Sequence, residues 1–193
     1  TDQARRIANA ITSIPALEGV RAGIYADAEP SNPATEVTPD SVITHRDTIR
    51  QNPPDILLTN YKMLDYLLLR ARDKALWEKN APETLRVLVV DEMHTFDGAQ
   101  GADLALLLRR LKSRLEVPQD HLVCVGSSAT LGTGEDEIKD LRTYAETIFG
   151  EAFDEDAVIR ETRLEPEAVF PTPEYFEWPK PEDVAEALEA AED

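Results

Sequence analysis

Leu85-Arg86-Val87-Leu88-Val89-Val90-Asp91-Glu92-Met93-His94 is the stretch on which the reading of this chain depends. Its apolar run is short, rich in β-branched residues, and ends abruptly in two carboxylates. That pattern predicts a strand buried on both faces of a parallel sheet, with charge at its C-terminal tip. The carboxyl ends of strands are where open α/β sheets keep their ligands. Phosphoryl transfer needs one carboxylate to hold Mg2+, usually through its waters, and a polar group to orient the attacking water. Asp91 and Glu92 are placed to supply both. The same letters also describe a core strand that simply ends in solvated acids, so partners elsewhere in the chain must choose between the two.

Bulk composition narrows the field. The 193 residues, 42% of them hydrophobic, suffice for one α/β domain with a core and a tail. No apolar run approaches the roughly 20 residues of a membrane helix, and Thr1-Asp2-Gln3-Ala4-Arg5-Arg6 has no signal-peptide core. The expectation is a soluble, cytoplasmic protein with no membrane partner. A net charge of −18 excludes a basic module that grips phosphates over a broad face. Nucleic acid could bind only through a narrow local site or with another domain's help. Part of the acid is concentrated at the end, in Glu182-Asp183 and from Glu186 to Asp193. The single cysteine, Cys124, lies in an apolar run and reads as a small core residue, which excludes a disulfide or a cysteine-based zinc site within the chain.

Ala4, Ile7, Ala8 and Ile11 recur at helical spacing from the very start, so the chain is expected to be a fragment whose N-terminal part is missing. A strand is predicted over 20–25, then a polar, proline-bearing, mobile loop over 27–40, then a short helix within 41–52 that stops before Pro53-Pro54. Asp55 to Asn60 reads as a strand with a polar tip, followed by a helix over 61–71 with Leu64, Leu67, Leu68 and Ala71 in one stripe. Strand, polar tip and helix make the βα unit of a doubly wound fold. Beyond the loop Phe96 to Gln100, a helix over 101–115 turns Leu104, Leu107, Leu108, Leu111 and Leu115 to the core. Arg109, Arg110, Lys112 and Arg114 gather towards its C-terminus, where the macrodipole favours them, and read as a solvated helix end before a nucleic-acid patch. His121 to Gly126 is a fourth strand, and a helix over 135–149 has Ile138, Leu141, Ala145 and Ile148 on one side. A weak strand over 158–164 precedes Pro166, Pro171, Pro173, Pro179 and Pro181, which suggest a linker; Ala185, Leu188 and Ala191 allow a last helix. The expected division is a domain over 1–165 and a linker with acidic tail over 166–193.

Two strand tips now stand together: Asp91-Glu92-Met93-His94 and, 37 residues after Asp91, Ser128-Ala129-Thr130. In this order, separated by one helix, they resemble motif II (the Walker B element) and motif III of the superfamily 2 DExH-box helicases. Asp2-Gln3-Ala4-Arg5-Arg6 resembles the end of motif Ia, and Asp55 to Tyr61 the strand and turn of the next nucleic-acid-binding motif. The phrase His94-Thr95-Phe96-Asp97-Gly98-Ala99-Gln100-Gly101 narrows the resemblance to large accessory DExH helicases of the Lhr-like bacterial type. It covers about residues 1–165.

The resemblance implies a RecA-like parallel sheet flanked by helices, part of the first of two RecA-like domains in an ATP-dependent helicase or translocase acting on DNA. ATP and Mg2+ are the implied cofactors. Asp91 would help hold the Mg2+ of MgATP, Glu92 would polarise the hydrolytic water, and His94 would link the γ-phosphate side of the cleft to the second domain. Ser128 and Thr130, with Ala129 between them, would couple motif II to strand separation. Thr59, with Asn60 and nearby amides, would contact the phosphodiester backbone. On the residues alone, Thr59 could equally cap the helix that starts at Tyr61, and His45 and His121 lack ligand spacing to any partner. A metal hydrolase built on Asp91, Glu92 and His94 is disfavoured, because adjacent residues on a strand tip alternate in direction.

The chain departs from the family at one point. It contains no Gly-x-x-x-x-Gly-Lys-Ser/Thr, so the sheet is expected to be incomplete and the chain alone to hydrolyse no ATP at a useful rate. The competing expectation is a catalytically inactive RecA-like docking module whose acidic tail meets a basic partner.

Overall fold

Two short parallel strand pairs carry the architecture of the computed structural model, which describes residues 2–26, 28–128 and 135–160. Contacts divide the chain into Thr1–Val158 and Ile159–Asp193, and the architecture below is that of the first unit. Helix α1 (Asp2–Ser13) leads into β1 (Ala22–Tyr25), and Ala4, Ala8 and Ile11 pack with Ala22 and Val42. After α2 (Arg46–Gln51), β2 (Ile56–Thr59) returns parallel to β1, in register from Ala22↔Ile56 to Tyr25↔Thr59. Helix α3 (Tyr61–Leu69) and the single turn α4 (Ala75–Glu78) then lead to β3 (Val87–Val90). Helix α5 (Gly98–Leu115) is the crossover to β4 (Val123–Gly126), paired parallel with β3 from Val87↔Val123 to Val90↔Gly126; α6 (Glu135–Phe149) follows. Parallel pairing demands such crossovers, because a tight turn cannot return the chain in the same direction.

The apolar periodicities explain where the core sits. Tyr25, Ile43, Ile49, Met63, Leu67 and Leu76 cluster beside the first pair, and Val90, Met93, Leu104, Leu108, Ile148 and Phe149 beside the second. Leu64 of α3 joins Leu107, Leu111 and Leu115 of α5. All five leucines predicted to face the core from α5 are buried, each worth about 1.5–3 kcal/mol relative to exposure. Helix α5 starts three residues before the predicted position, and position 101, now inside it, requires glycine because a Cβ there would come within 2.8 Å of the Phe96 carbonyl oxygen.

The structure corrects other expectations. Among the described residues, the β3 strand is covered on one face only. Leu88 and Val90 pack against the α5–α6 cluster, whereas Val87 and Val89 are 54% and 62% exposed, and Val123 and Val125 58% and 44%. These four alternate onto the same side of the pair, and among the described residues no element covers it. A continuous apolar run suits a doubly covered strand, and here the run is present with one cover. The loop predicted over 27–40 is tied down in its described part, 28–40: the Glu29 carboxylate accepts the Arg46 N–H at 2.8 Å, and the Ala34 carbonyl accepts those of Thr44 and His45 at 2.9 Å. Val158 to Arg160 form no strand; the rest of that predicted strand, the linker and the tail helix lie outside the described residues. No helix among the described residues is long and apolar enough to cross a membrane.

Candidate functional site

The register of the second pair builds the site. Val90↔Gly126 is its last pair, so Asp91 stands opposite Ser127 one step beyond. The Ser127 N–H donates to the Val90 carbonyl at 3.0 Å, and the Met93 N–H donates to the Ser127 carbonyl at 2.8 Å. Gly126 permits this approach, since a Cβ there would lie 2.9 Å from the Met93 sulfur. Between these anchors the chain reverses sharply. Glu92 adopts left-handed backbone angles (φ 51°, ψ 44°), a conformation that costs a residue with a side chain on the order of 1 kcal/mol or more. A single 3-10 turn, Met93–Thr95, then folds His94 back towards β4. Thr95 closes that turn by donating its N–H and hydroxyl to the Glu92 carbonyl at 2.9 and 2.8 Å. From α6, the Tyr144 hydroxyl reaches the carbonyls of Met93, at 3.2 Å, and Phe96. Burial, and then the charge of Asp97, push that phenol above its ordinary range, so it remains a donor.

The side chains converge from three elements. Asp91 accepts the Ser127 hydroxyl on Oδ1 and the Gln3 amide of α1 on Oδ2. Those two hydrogen bonds, Ser127's foremost, hold its carboxyl below the usual range and keep it ionised. The Ser127 hydroxyl oxygen also accepts the Glu92 N–H at 3.1 Å. His94 bridges the two tips: its Nε2 lies 3.5 Å from Glu92 Oε2, and its Nδ1 shares a hydrogen bond with the Ser128 hydroxyl at 3.2 Å. The result is an exposed cluster of two carboxylates, an imidazole and two hydroxyls on a hydrogen-bonded turn. It can orient a water molecule, and Asp91 can meet a hydrated cation.

Thr59 and Asn60 stand apart, at the end of β2. The Thr59 hydroxyl donates to the Tyr25 carbonyl at 2.8 Å. The cap of α3 is Asn60, whose Oδ1 accepts the Met63 N–H at 2.8 Å, so the capping role weighed for Thr59 falls to its neighbour. Asn60 holds it because it directly precedes the first helical residue in an extended conformation. Ala129 and Thr130 lie outside the described residues. His45 caps α2, accepting the Thr48 N–H at 3.3 Å, and His121 Nε2 lies 3.1 Å from the Glu83 carbonyl. Arg109 donates to the Thr147 carbonyl, while Arg110 and Lys112 pair with Asp65 and Glu151, so these α5 cations are engaged within the fold.

Gln3, Ser127 and Tyr144 belong to the site and are not among the residues singled out from sequence. Ser127 had a signal: adjacent residues at a strand end face opposite sides, so the serine pair Ser127-Ser128 offers one hydroxyl to each. Gln3 lay within Asp2 to Arg6, the stretch that resembles the end of motif Ia, though nothing there set it apart from its neighbours; Tyr144 had no signal, being a single polar residue on an otherwise ordinary amphipathic helix.

A family model described as DEAD/DEAH box helicase matches residues 25–138, more than half of the chain. The Druantia protein DruE of Escherichia coli strain UMEA 4076-1 is 38% identical over 104 residues, which is 50% of this chain and 6% of that protein. The Lhr helicase/uracil glycosylase of Escherichia coli K12 is 37% identical, over 51% of this chain and 6% of its own length. An ATP-dependent helicase of Methanocaldococcus jannaschii is 30% identical, over 53% of this chain and 15% of its own. The aligned part of the chain thus spans between 6% and 15% of these relatives. No solved structure gives a significant match.

Proposed function

The chain belongs to the DEAD/DEAH box helicase family, and we propose that it forms part of the first RecA-like domain of an ATP-dependent DNA helicase or translocase. The observation that carries the proposal is the meeting of the two strand tips, with Asp91 held by Ser127, and His94 set between Glu92 and Ser128. The preference for DNA over RNA is drawn from the phrase His94 to Gly101, through which the sequence resembles Lhr-like helicases.

In this reading Asp91 would hold the Mg2+ of MgATP through water. The residues fit that ion: Asp91 is exposed, and hydrogen bonds from neutral groups hold its carboxyl below the usual range. When bound, the ion supplies positive charge to the phosphate oxygens. Glu92 polarises the attacking water. His94, touching Glu92 with one ring nitrogen and Ser128 with the other, passes the state of the carboxylates to the end of β4, where Ala129 and Thr130 continue motif III. Thr59 and Asn60 contact the sugar-phosphate backbone, which gives grip without sequence readout. The Gly-x-x-x-x-Gly-Lys-Ser/Thr that cradles the β- and γ-phosphates is not in this sequence. We place it against the open valine face that ends at Asp91, with a second RecA-like domain forming the opposite wall of the cleft.

The test is ATP hydrolysis by the full-length protein, with and without single-stranded DNA, for wild type and Glu92→Gln. DNA-stimulated turnover should fall about a hundredfold in the variant, a loss of roughly 2.7 kcal/mol of transition-state stabilisation. Turnover indifferent to both DNA and Glu92 overturns the motor reading in favour of a docking module.

A further inference from the structure

Ser127 engages the β3 tip through its backbone and its side chain together. Its N–H and carbonyl bond Val90 and Met93, at 3.0 and 2.8 Å, and its hydroxyl bonds Asp91 and the Glu92 amide. One residue of β4's end thus touches each of the four residues from Val90 to Met93. The two backbone bonds are open to any side chain. The other two require a hydroxyl, which has one proton to donate and lone pairs to accept. The donated proton goes to Asp91 Oδ1, and a lone pair takes the Glu92 N–H at 3.1 Å.

Glu92 occupies the left-handed region, where residues with side chains persist only if their surroundings over-determine them. Its amide and the neighbouring carboxylate meet in the same oxygen atom. The separation and orientation of Asp91 and Glu92 are therefore set from outside their own strand.

We propose that Ser127 is a positioning residue for hydrolysis, fixing Asp91 and the backbone of Glu92 against each other through its single hydroxyl. This rests on the ATPase reading given above. Ser127 touches neither nucleotide nor water in this scheme; it acts through its two neighbours. Ser128, one residue on, addresses His94 instead, so the serine pair divides the work. Because Ser127 is exposed, water can replace the lost bonds in Ser127→Ala, and the fold survives while the geometry loosens.

The test uses the full-length protein with saturating single-stranded DNA and compares wild type, Ser127→Ala, Ser127→Thr and Glu92→Gln. Ser127→Ala should lower kcat about tenfold or more and change KM for MgATP by less than about threefold. Ser127→Thr, which keeps the hydroxyl, should return kcat to within about twofold of wild type. In the nucleotide-free protein, hydrogen–deuterium exchange of the peptide carrying Glu92 and Met93 should quicken in Ser127→Ala and stay slow in Ser127→Thr. Wild-type kcat and exchange in Ser127→Ala, or failure of Ser127→Thr to restore either, overturns the positioning role alone. A wild type whose hydrolysis ignores Glu92→Gln overturns the ATPase reading, and the positioning role with it.

Discussion

Each of the two strand pairs ends beside an aspartate, and the two aspartates are held in opposite ways. Beside β1, Asp73 is fully buried: the Tyr25 hydroxyl and Arg50 Nε both donate to its Oδ1 at 2.8 Å, and Arg50 Nη2 donates to the Tyr25 hydroxyl oxygen at 2.5 Å. Its Oδ2 makes no hydrogen bond and has Arg72 Nε at 3.8 Å. The Arg46 and Arg50 guanidiniums lie over the Tyr25 ring, 5.1 and 5.6 Å from its centroid. At β3, Asp91 is exposed and its hydrogen bonds, from the Ser127 hydroxyl, the Gln3 amide and the Glu92 backbone, come from neutral groups. A buried carboxylate is tolerated only with fixed, charged partners, so its lone pairs are committed to the fold. An exposed one keeps its hydration and needs hydrogen bonds only for direction, which leaves it able to exchange water for a ligand. The same kind of side chain is locked into the fold at one end and stands in water at the other.

The largest expected effect tests the locked end. Arg50→Ala leaves the Asp73 charge buried without its main partner, and breaking a buried pair in this way costs about 3–5 kcal/mol. Urea unfolding followed by the fluorescence of Trp77, which packs against the same cluster, measures it. A variant within about 1 kcal/mol of wild type would show that the first end adapts as freely as the second, and the contrast would collapse.

What sequence could show follows the same division. The α5 leucines and the bounds of α6 were legible because an amphipathic helix writes its buried face as a period, and all five leucines obey it. Asp91, Glu92, His94 and Ser128 were legible because two short motifs lie on consecutive strands, and the structure brings these four together. The open side of β3 was not, since Val87 to Val90 is continuously apolar and carries no alternation to mark which face lacks a cover. Neither was the Tyr25–Arg50–Asp73 group, which joins residues 25, 48 and 23 positions apart with no local pattern. Long-range polar contacts are fixed by packing, and packing leaves no period in the sequence.

A smaller effect, of opposite sign, tests the presenting end. Left-handed backbone costs a residue with a side chain about 1–2 kcal/mol, and glycine's extra unfolded freedom returns about 0.5–1 of that. Glu92→Gly should therefore raise stability by about 0.5 kcal/mol while abolishing DNA-stimulated hydrolysis. A destabilised Glu92→Gly would mean that the carboxylate supports the fold as well as the chemistry.

The smallest effects are in the pH dependence, where the two ends should diverge. Burial, and then Asp73, push the Tyr25 phenol above its ordinary value, so the folded state prefers the neutral form. That stability is fully present below about pH 10 and is lost as pH rises through the folded value. Asp91 is lowered, first by Ser127 and then by Gln3, so its contribution is present above about pH 4 and lost as pH falls through its folded value. The stability difference between wild type and Tyr25→Phe should narrow from pH 8 to about pH 11, and that between wild type and Asp91→Asn from pH 7 to about pH 3. The acid arm should be the weaker of the two, because Asp91 stands in water and the solvent already stabilises its charge. An acid arm larger than the alkaline one would mean that Asp91 is committed to the fold as Asp73 is, which an aspartate that presents itself to a ligand cannot be.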